Sequence, residues 1–94
     1  MIIVAGKLYV AADVRAAYLA QSLEIIELAR AAPGCLDFHL SPDPLEEDRM
    51  NVFEAWESLA ALEAFRGSGP AASQVAQIRE ARVRQYEVTS QAEL

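Results

Sequence analysis

One continuous stretch, residues 33–58, carries the signals for the end of a helix, a β-hairpin and the start of another helix. A Pro-Gly pair stops the first helix, and two runs of alternating residues follow at 35–41 and 49–57. A Pro-rich, acidic turn separates the runs, and Ser58 is of a type favoured at helix N-caps. The stretch also holds the chain's only histidine, cysteine and tryptophan. We therefore expect any chemistry to lie on or beside this hairpin.

The flanking segments extend the hairpin to a β-α-β-β-α-β order. Residues 2–10 and 81–89 alternate as strands, and 13–32 carry apolar side chains at helical spacing, with Asp13 at the start and Leu28 on the apolar stripe. This order predicts an α+β, ferredoxin-like βαββαβ domain over residues 1–94, with one antiparallel sheet and its helices on one face. Gly-Ser-Gly-Pro at 67–70 is interpreted as a gate over a closed site or as a plain break between two helices.

The face of the sheet away from the helices is predicted to be apolar. Helices on one side leave Ile3, Ala5, Tyr9, Phe53 and Ala55 uncovered. Exposed apolar patches usually mark association, and a domain of 94 residues buries only a modest core alone. The sequence therefore predicts a homodimer that pairs two such faces.

Composition narrows the classes of partner. A net charge of −6 and a pI near 4.6 disfavour electrostatic capture of nucleic acid or an anionic membrane. One cysteine cannot form an internal disulfide, and no apolar run approaches the roughly 20 residues of a membrane helix. We expect a cytoplasmic protein that pairs with its own second copy and has no nucleic-acid or membrane partner.

Two motifs of the hairpin resemble those of a known family. They are Pro-Gly-Cys at 33–35 and Glu-x-Trp-Glu-Ser at 54–58, within a similarity that covers essentially the whole chain. They resemble the antibiotic biosynthesis monooxygenase family, which includes quinol monooxygenase-like proteins. The resemblance implies a dimeric α/β barrel with a pocket between sheet and helices in each subunit. Some members oxygenate quinols or anthrones without metal or flavin, whereas others degrade haem or isomerise small signalling molecules.

The resemblance assigns few residues. Trp56 matches a tryptophan of the anthrone-oxidising members, but Val52 stands where those proteins carry a substrate-holding asparagine. Haem-degrading members need a helix histidine, which residues 59–78 lack. Quinol-oxidising members often carry histidine where this chain has Phe65 and Arg66. Since the dinucleotide glycine fingerprint and recognised metal-ligand spacings are also absent, we expect no metal, haem or flavin cofactor.

His39 and Trp56 are the candidate catalytic residues. Imidazole titrates near neutrality, so His39 is a candidate base for a phenolic proton. The alternative is a strand histidine that pairs with a neighbouring carboxylate or is exposed at the edge of the dimer. Trp56 is either a core side chain under the second helix, a platform for a planar substrate, or both.

Further side chains are candidates for orienting a substrate. Asn51, Tyr18, Tyr86, Phe65 and Arg66 belong to this group, although an arginine at a helix end needs no ligand to explain it. The acidic turn at 43–48 is interpreted as a solvated hairpin tip rather than a cation site, because it lacks the glycine of a calcium loop. Cys35 is interpreted as a small packing residue.

Two classes of function remain open from the sequence. The first, which the resemblance implies, is a cofactor-independent monooxygenase whose partners are molecular oxygen and a small aromatic substrate, a phenolic, quinol or anthrone-like compound. The second is a non-catalytic dimeric module that binds a small molecule or assists a pathway enzyme. A closed pocket containing a titratable side chain favours the first class, because the oxygenase scheme needs a base.

Overall fold

The computed structural model describes residues 1–67 and 72–94, and within them the chain forms one four-stranded antiparallel sheet and three helices. In chain order the elements are β1 (Ile2–Tyr9), α1 (Arg15–Ala31), β2 (Cys35–Pro42), β3 (Arg49–Trp56), α2 (Leu59–Arg66), α3 (Ala72–Gln77) and β4 (Glu80–Glu87). The strand order is β2-β3-β1-β4. The predicted ferredoxin-like order is therefore confirmed. The predicted gate at 67–70 lies outside the described residues except for Gly67, so it stays a prediction.

The register of β3 decides which side chains face the helices. Glu54 pairs with Val4 of β1 and Phe38 of β2, whereas Phe53 pairs with Ala5 and His39. Directly paired residues project to the same side of a sheet, and side chains alternate along each strand. Glu54 thus shares the helix-covered face with apolar neighbours, and Phe53 points to the opposite face.

The core among the described residues falls into two clusters. Trp56, at 0% exposure, packs with Ile2, Val4 and Leu62 beneath α2. The second cluster contains Val10, Tyr18 and Met50 beneath α1. Both clusters rest on the same sheet face, so the space between them lies inside the domain.

Helix α1 differs from the prediction at its start and in its buried side. It begins at Arg15 after Val14 rather than at Asp13, and no side chain caps it. Leu28, predicted on the buried stripe, is 56% exposed, whereas Leu19 packs against the second core cluster. The prediction was wrong for residues at the edge of the apolar stripe. Packing against the sheet, rather than the distribution of apolar side chains, sets the rotation of α1 about its axis.

Ser58 caps α2 as the sequence predicts. Its Oγ accepts a hydrogen bond from the Ala61 N–H at 3.1 Å. The variant Ser58→Ala should destabilise the protein by about 1 kcal/mol and lower Tm by about 4–8 °C, because one helix N–H loses its partner. Calorimetry checks this against Ser90→Ala, a change in the exposed tail that should leave Tm unaltered. Equal melting temperatures for both variants would contradict the capping role.

Candidate active site

A cavity of about 250 Å³ lies between the sheet and the helices. Its wall is mostly apolar and includes side chains from β1, α1, β2, β3 and α2, together with Ile78 after α3. Among the described residues of the wall, four are charged or titratable: Tyr18, His39, Glu54 and Arg66. A largely apolar cavity with a few polar groups has the usual make-up of a small-molecule site.

Glu54 is a part-buried carboxyl group on this apolar wall. Its cross-strand neighbours Val4 and Phe38 offer no hydrogen bond from their side chains. The Trp56 indole N–H donates to Glu54 Oε1 at 3.0 Å, which fixes one carboxyl oxygen. The other oxygen accepts no hydrogen bond from the part of the chain that the structure describes, so it is available to a molecule in the cavity.

Burial raises the pKa of the Glu54 carboxyl above its ordinary value of 4.5. The indole hydrogen bond from Trp56 and the positive charge of Arg66 oppose this shift but do not cancel it. A carboxylate with a raised pKa is a stronger base than a solvated one. Glu54 is therefore suited to accept a proton inside the cavity.

Three aromatic rings pack together at the Glu54 end of the cavity. The Phe65 ring centroid lies 5.3 Å from that of Trp56 and 5.9 Å from that of Phe38, the latter pair edge to face. Phe38 and Phe65 reach the wall, whereas Trp56 lies behind them, fully buried. Trp56 is thus both a core residue and the hydrogen-bond donor that orients Glu54.

Tyr18 places a phenol group on the opposite side of the cavity. It belongs to α1 and is 5% exposed, and burial raises the pKa of its hydroxyl. The hydroxyl therefore remains protonated at neutral pH. Such a group donates hydrogen bonds to a substrate oxygen without itself becoming charged.

Arg66 brings a guanidinium group to the cavity from the end of α2. Its Nη1 donates to Gln85 Oε1 at 3.3 Å, and the residue is exposed. Of the described residues on the wall, it is the one with a permanent positive charge. It therefore lies at the solvent rim, with Glu54 further inside.

His39 contributes to the wall, but its ring turns away. The ring stacks on Phe53 at 5.2 Å between centroids and 22° between planes, and Nε2 lies 4.0 Å from an Asp37 oxygen. Phe53 projects from the helix-free face of the sheet, so the backbone of His39 rather than its imidazole reaches the cavity. The geometry corresponds to the strand histidine with a carboxylate neighbour.

Asn51 and Tyr86 lie away from the cavity. Asn51 Nδ2 donates to Asp43 Oδ1 at 2.9 Å, and Asn51 Oδ1 accepts from Arg49 Nε at 2.8 Å. Tyr86 pairs with Ile3 on the helix-free face and is 49% exposed. Of the candidate residues, Tyr18, Phe65 and Arg66 thus meet at the cavity with Trp56 beside them, whereas Asn51 and Tyr86 do not join them.

The acidic turn between β2 and β3 is held by a hydrogen-bond network. Arg15 Nη1 donates to the carbonyl oxygens of Asp43, Glu46 and Arg49 at 2.8–3.2 Å. Asn51 and two backbone N–H groups donate to Asp43, and these bonds lower its pKa to about 2. Nowhere in residues 1–67 and 72–94 do three His, Cys, Asp or Glu side chains gather as a metal site. The Asp43 carboxylate therefore has a structural explanation.

Sequence reasoning passed over Glu54 as a site residue, although the alternation contained a signal for it. Met50, Val52 and Trp56 are apolar side chains on one face of β3, and Glu54 interrupts that face. A carboxylate on an otherwise buried strand face is unfavourable unless it has a partner or a role. That pattern, rather than the presence of histidine, marked the titratable group of the cavity.

Comparison with known proteins agrees with this architecture. The family model for antibiotic biosynthesis monooxygenases matches residues 1–86. A candidate antibiotic biosynthesis monooxygenase from Deinococcus radiodurans superposes with a TM-score of 0.86 at 19% identity, covering 100% of this chain and 98% of that one. A candidate member from Caulobacter crescentus gives 0.83 at 22% identity, covering 95% and 90%. At these identities the structural likeness shows the fold.

A relative from Synechocystis, the uncharacterized protein sll1783, is 36% identical over 62 residues. The match covers 66% of this chain and 42% of that protein, so the chain corresponds to less than half of its length. None of the described helices is long and apolar enough to cross a bilayer.

Proposed function

The chain belongs to the antibiotic biosynthesis monooxygenase family, and we propose that it is a cofactor-independent monooxygenase that oxidises a small phenolic or quinol compound with molecular oxygen. One observation carries the proposal: an apolar cavity contains a carboxyl group, Glu54, whose pKa is raised by burial and whose orientation is fixed by Trp56. Such a group can remove a phenolic proton where water is scarce.

The size of the cavity supports a substrate of one or two rings. Its volume of about 250 Å³ is less than twice the roughly 150 Å³ of a cavity known to hold benzene. The rings of Phe38 and Phe65 provide surfaces for a flat molecule to pack against. We therefore favour phenols, naphthols and quinols over the three-ring anthrones.

The proposed reaction begins with proton transfer from the substrate hydroxyl to Glu54. This transfer produces a phenolate, which passes one electron to oxygen and leaves a phenoxyl radical beside superoxide. The two radicals combine to form a carbon–oxygen bond at a free ring carbon ortho or para to the hydroxyl; in a quinol, whose para carbon already carries oxygen, this is an ortho carbon. Glu54 then returns its proton to the outer peroxide oxygen. The apolar wall keeps the radical pair together until the bond has formed.

The last step breaks the oxygen–oxygen bond of the hydroperoxide. Loss of the ring C–H proton and of hydroxide gives a quinone and one water molecule. One oxygen atom thus enters the product, and the other leaves as water with the two hydrogens that the substrate loses. The substrate supplies all four electrons that reduce oxygen, so the reaction requires no external reductant.

We also propose that the protein acts as a homodimer through the helix-free sheet face. Phe53, Ala5 and Ile3 lie on that face, next to the exposed Tyr86. Contiguous apolar surface of this kind supports association. A partner subunit on this face would not cover the cavity. In each subunit the cavity lies on the other face of the sheet, beneath that subunit's own helices.

Oxygen uptake tests the proposed activity. Purified protein treated with chelator should consume oxygen with 1-naphthol and release 1,4-naphthoquinone in equal amounts, which absorbance measures. A phenol whose ortho and para positions are all blocked should bind without consuming oxygen, because no free ring carbon is available for the new carbon–oxygen bond. Binding of a full panel of one- and two-ring phenols with no oxygen uptake would overturn the oxygenase and favour the non-catalytic binding module.

A further inference from the structure

The cavity carries a second charged group that the proton transfer does not use. Arg66 lies on the wall, and among the described residues its side chain donates one hydrogen bond, to the neutral Gln85 side chain at 3.3 Å. Within residues 1–67 and 72–94, no carboxylate oxygen approaches its guanidinium to 4.0 Å. A guanidinium has five N–H donors, so most of them remain available to a ligand.

Three other arginines of the chain have carbonyl or carboxylate partners. Arg15 donates to three backbone carbonyls, Arg49 pairs with Asp43 and Glu46, and Arg82 pairs with Glu80. Arg66 differs from these three in two ways. It lines the cavity, and no acidic side chain among the described residues pairs with it. The charge of Arg66 also acts inside the cavity, since it opposes the rise that burial causes in the pKa of Glu54.

The surroundings of Arg66 would otherwise repel an anion. The chain has a net charge of −6, and the last turn of α2 presents the negative end of the helix dipole. The binding of an anionic group at the rim of the cavity therefore depends on the charge of Arg66 itself. Guanidinium and carboxylate match in geometry and can form two parallel hydrogen bonds.

We infer that Arg66 binds a carboxylate on the substrate, which makes the preferred substrates hydroxyaromatic acids of one or two rings. The hydroxyl group lies inside near Glu54, and the carboxylate lies at the rim against Arg66. This inference rests on the proposed function, because it assigns the orientation of a phenolic substrate in the same cavity. It also explains how so apolar a site selects one orientation of a flat ring.

The test compares two probes with the same rings, 1-naphthol and 5-hydroxy-2-naphthoate, in which the carboxylate and the hydroxyl lie on different rings. Binding is measured without oxygen, so turnover does not interfere, from the NMR resonance of the indole N–H. The chain has one tryptophan, and this N–H lies 3.0 Å from Glu54 Oε1, so its resonance reports on the cavity. Wild-type protein should bind the acid about tenfold more tightly than the naphthol, the effect of one charge-assisted hydrogen bond.

Arg66→Gln should bind both probes with affinities within about twofold of each other, and Arg66→Lys should keep part of the preference. The matched control Arg79→Gln removes the same charge from another exposed position and should retain the full preference. Equal affinities in the wild type, or a preference that survives Arg66→Gln, would overturn the inference. So would a naphthoate that leaves the indole resonance unmoved.

Readmitting oxygen separates this inference from the proposed function. If the acid binds through Arg66 and oxygen is consumed, both are supported. If the acid binds through Arg66 but no oxygen is consumed with either probe, the binding assignment stands and the oxygenase is overturned.

Discussion

Glu54→Gln should abolish most of the oxygen consumption while raising the melting temperature at neutral pH. The amide cannot accept the phenolic proton, so kcat should fall by about 10²–10⁴-fold, the usual contribution of a general base. The amide oxygen can still accept the Trp56 N–H, and its size matches the carboxyl group. The stability gain arises because the variant removes a charge that burial disfavours.

The gain in stability should depend on pH with a definite sign. The pKa of Glu54 in the folded protein lies above its ordinary value of 4.5, so the folded state holds this proton more tightly than the unfolded state. The stabilising contribution is present in full below pH 4.5 and is lost as pH rises through the folded pKa. The wild type and Glu54→Gln should therefore melt alike in acid and diverge toward neutrality.

Glu57→Gln is the matched control for this experiment. Glu57 is an exposed carboxylate three positions along the same stretch, and it does not line the cavity. Its replacement should leave kcat unchanged and should not reproduce the pH-dependent stabilisation. Full activity in Glu54→Gln would show that another group accepts the proton. A lower melting temperature at neutral pH would show that ionised Glu54 stabilises the fold.

Phe53→Glu should prevent the proposed homodimer from forming. Phe53 lies on the helix-free face, in register with Ala5 of β1 and His39 of β2. Extensive homodimer interfaces often bury about 2,000 Å² or more and resemble a divided core, so a central carboxylate would be buried without a partner. Sedimentation should show a dimer for the wild type at micromolar concentration and a monomer or insoluble protein for the variant.

A surface control distinguishes this effect from added charge in general. Leu28→Glu places the same group on α1, where Leu28 is 56% exposed, and should leave the dimer intact. A wild-type protein that sediments as a stable monomer would contradict the dimer. Dissociation by Leu28→Glu alone would place the interface on α1.

The fold was accessible from the sequence because its signals are local. Alternation predicted β2 and β3, and Ser58 marked the start of α2 through a hydrogen bond to a residue three positions away. The rotation of α1 was less accessible, because it depends on contacts with the sheet. The same holds for Arg15, whose guanidinium reaches carbonyls 28–34 residues further along the chain.

The candidate site could be predicted only in part from the sequence, because it too depends on contacts between distant parts of the chain. Residue type drew attention to His39, yet strand alternation turns its ring toward Phe53 on the other face. Glu54 looked like an ordinary strand residue until the register placed it between Val4 and Phe38. The chemistry of a carboxyl group depends on what surrounds it, and those neighbours come from distant parts of the chain.

Isotope labelling gives the most direct test of the account. Chelator-treated protein is incubated with a naphthol under ¹⁸O₂, and the quinone product is analysed by mass spectrometry. We predict that one labelled oxygen atom appears in the quinone and the other in water, and that Glu54→Gln forms almost none of this product. A quinone that carries no label, or a labelled quinone formed equally well by Glu54→Gln, would contradict a monooxygenase that depends on the Glu54 carboxylate.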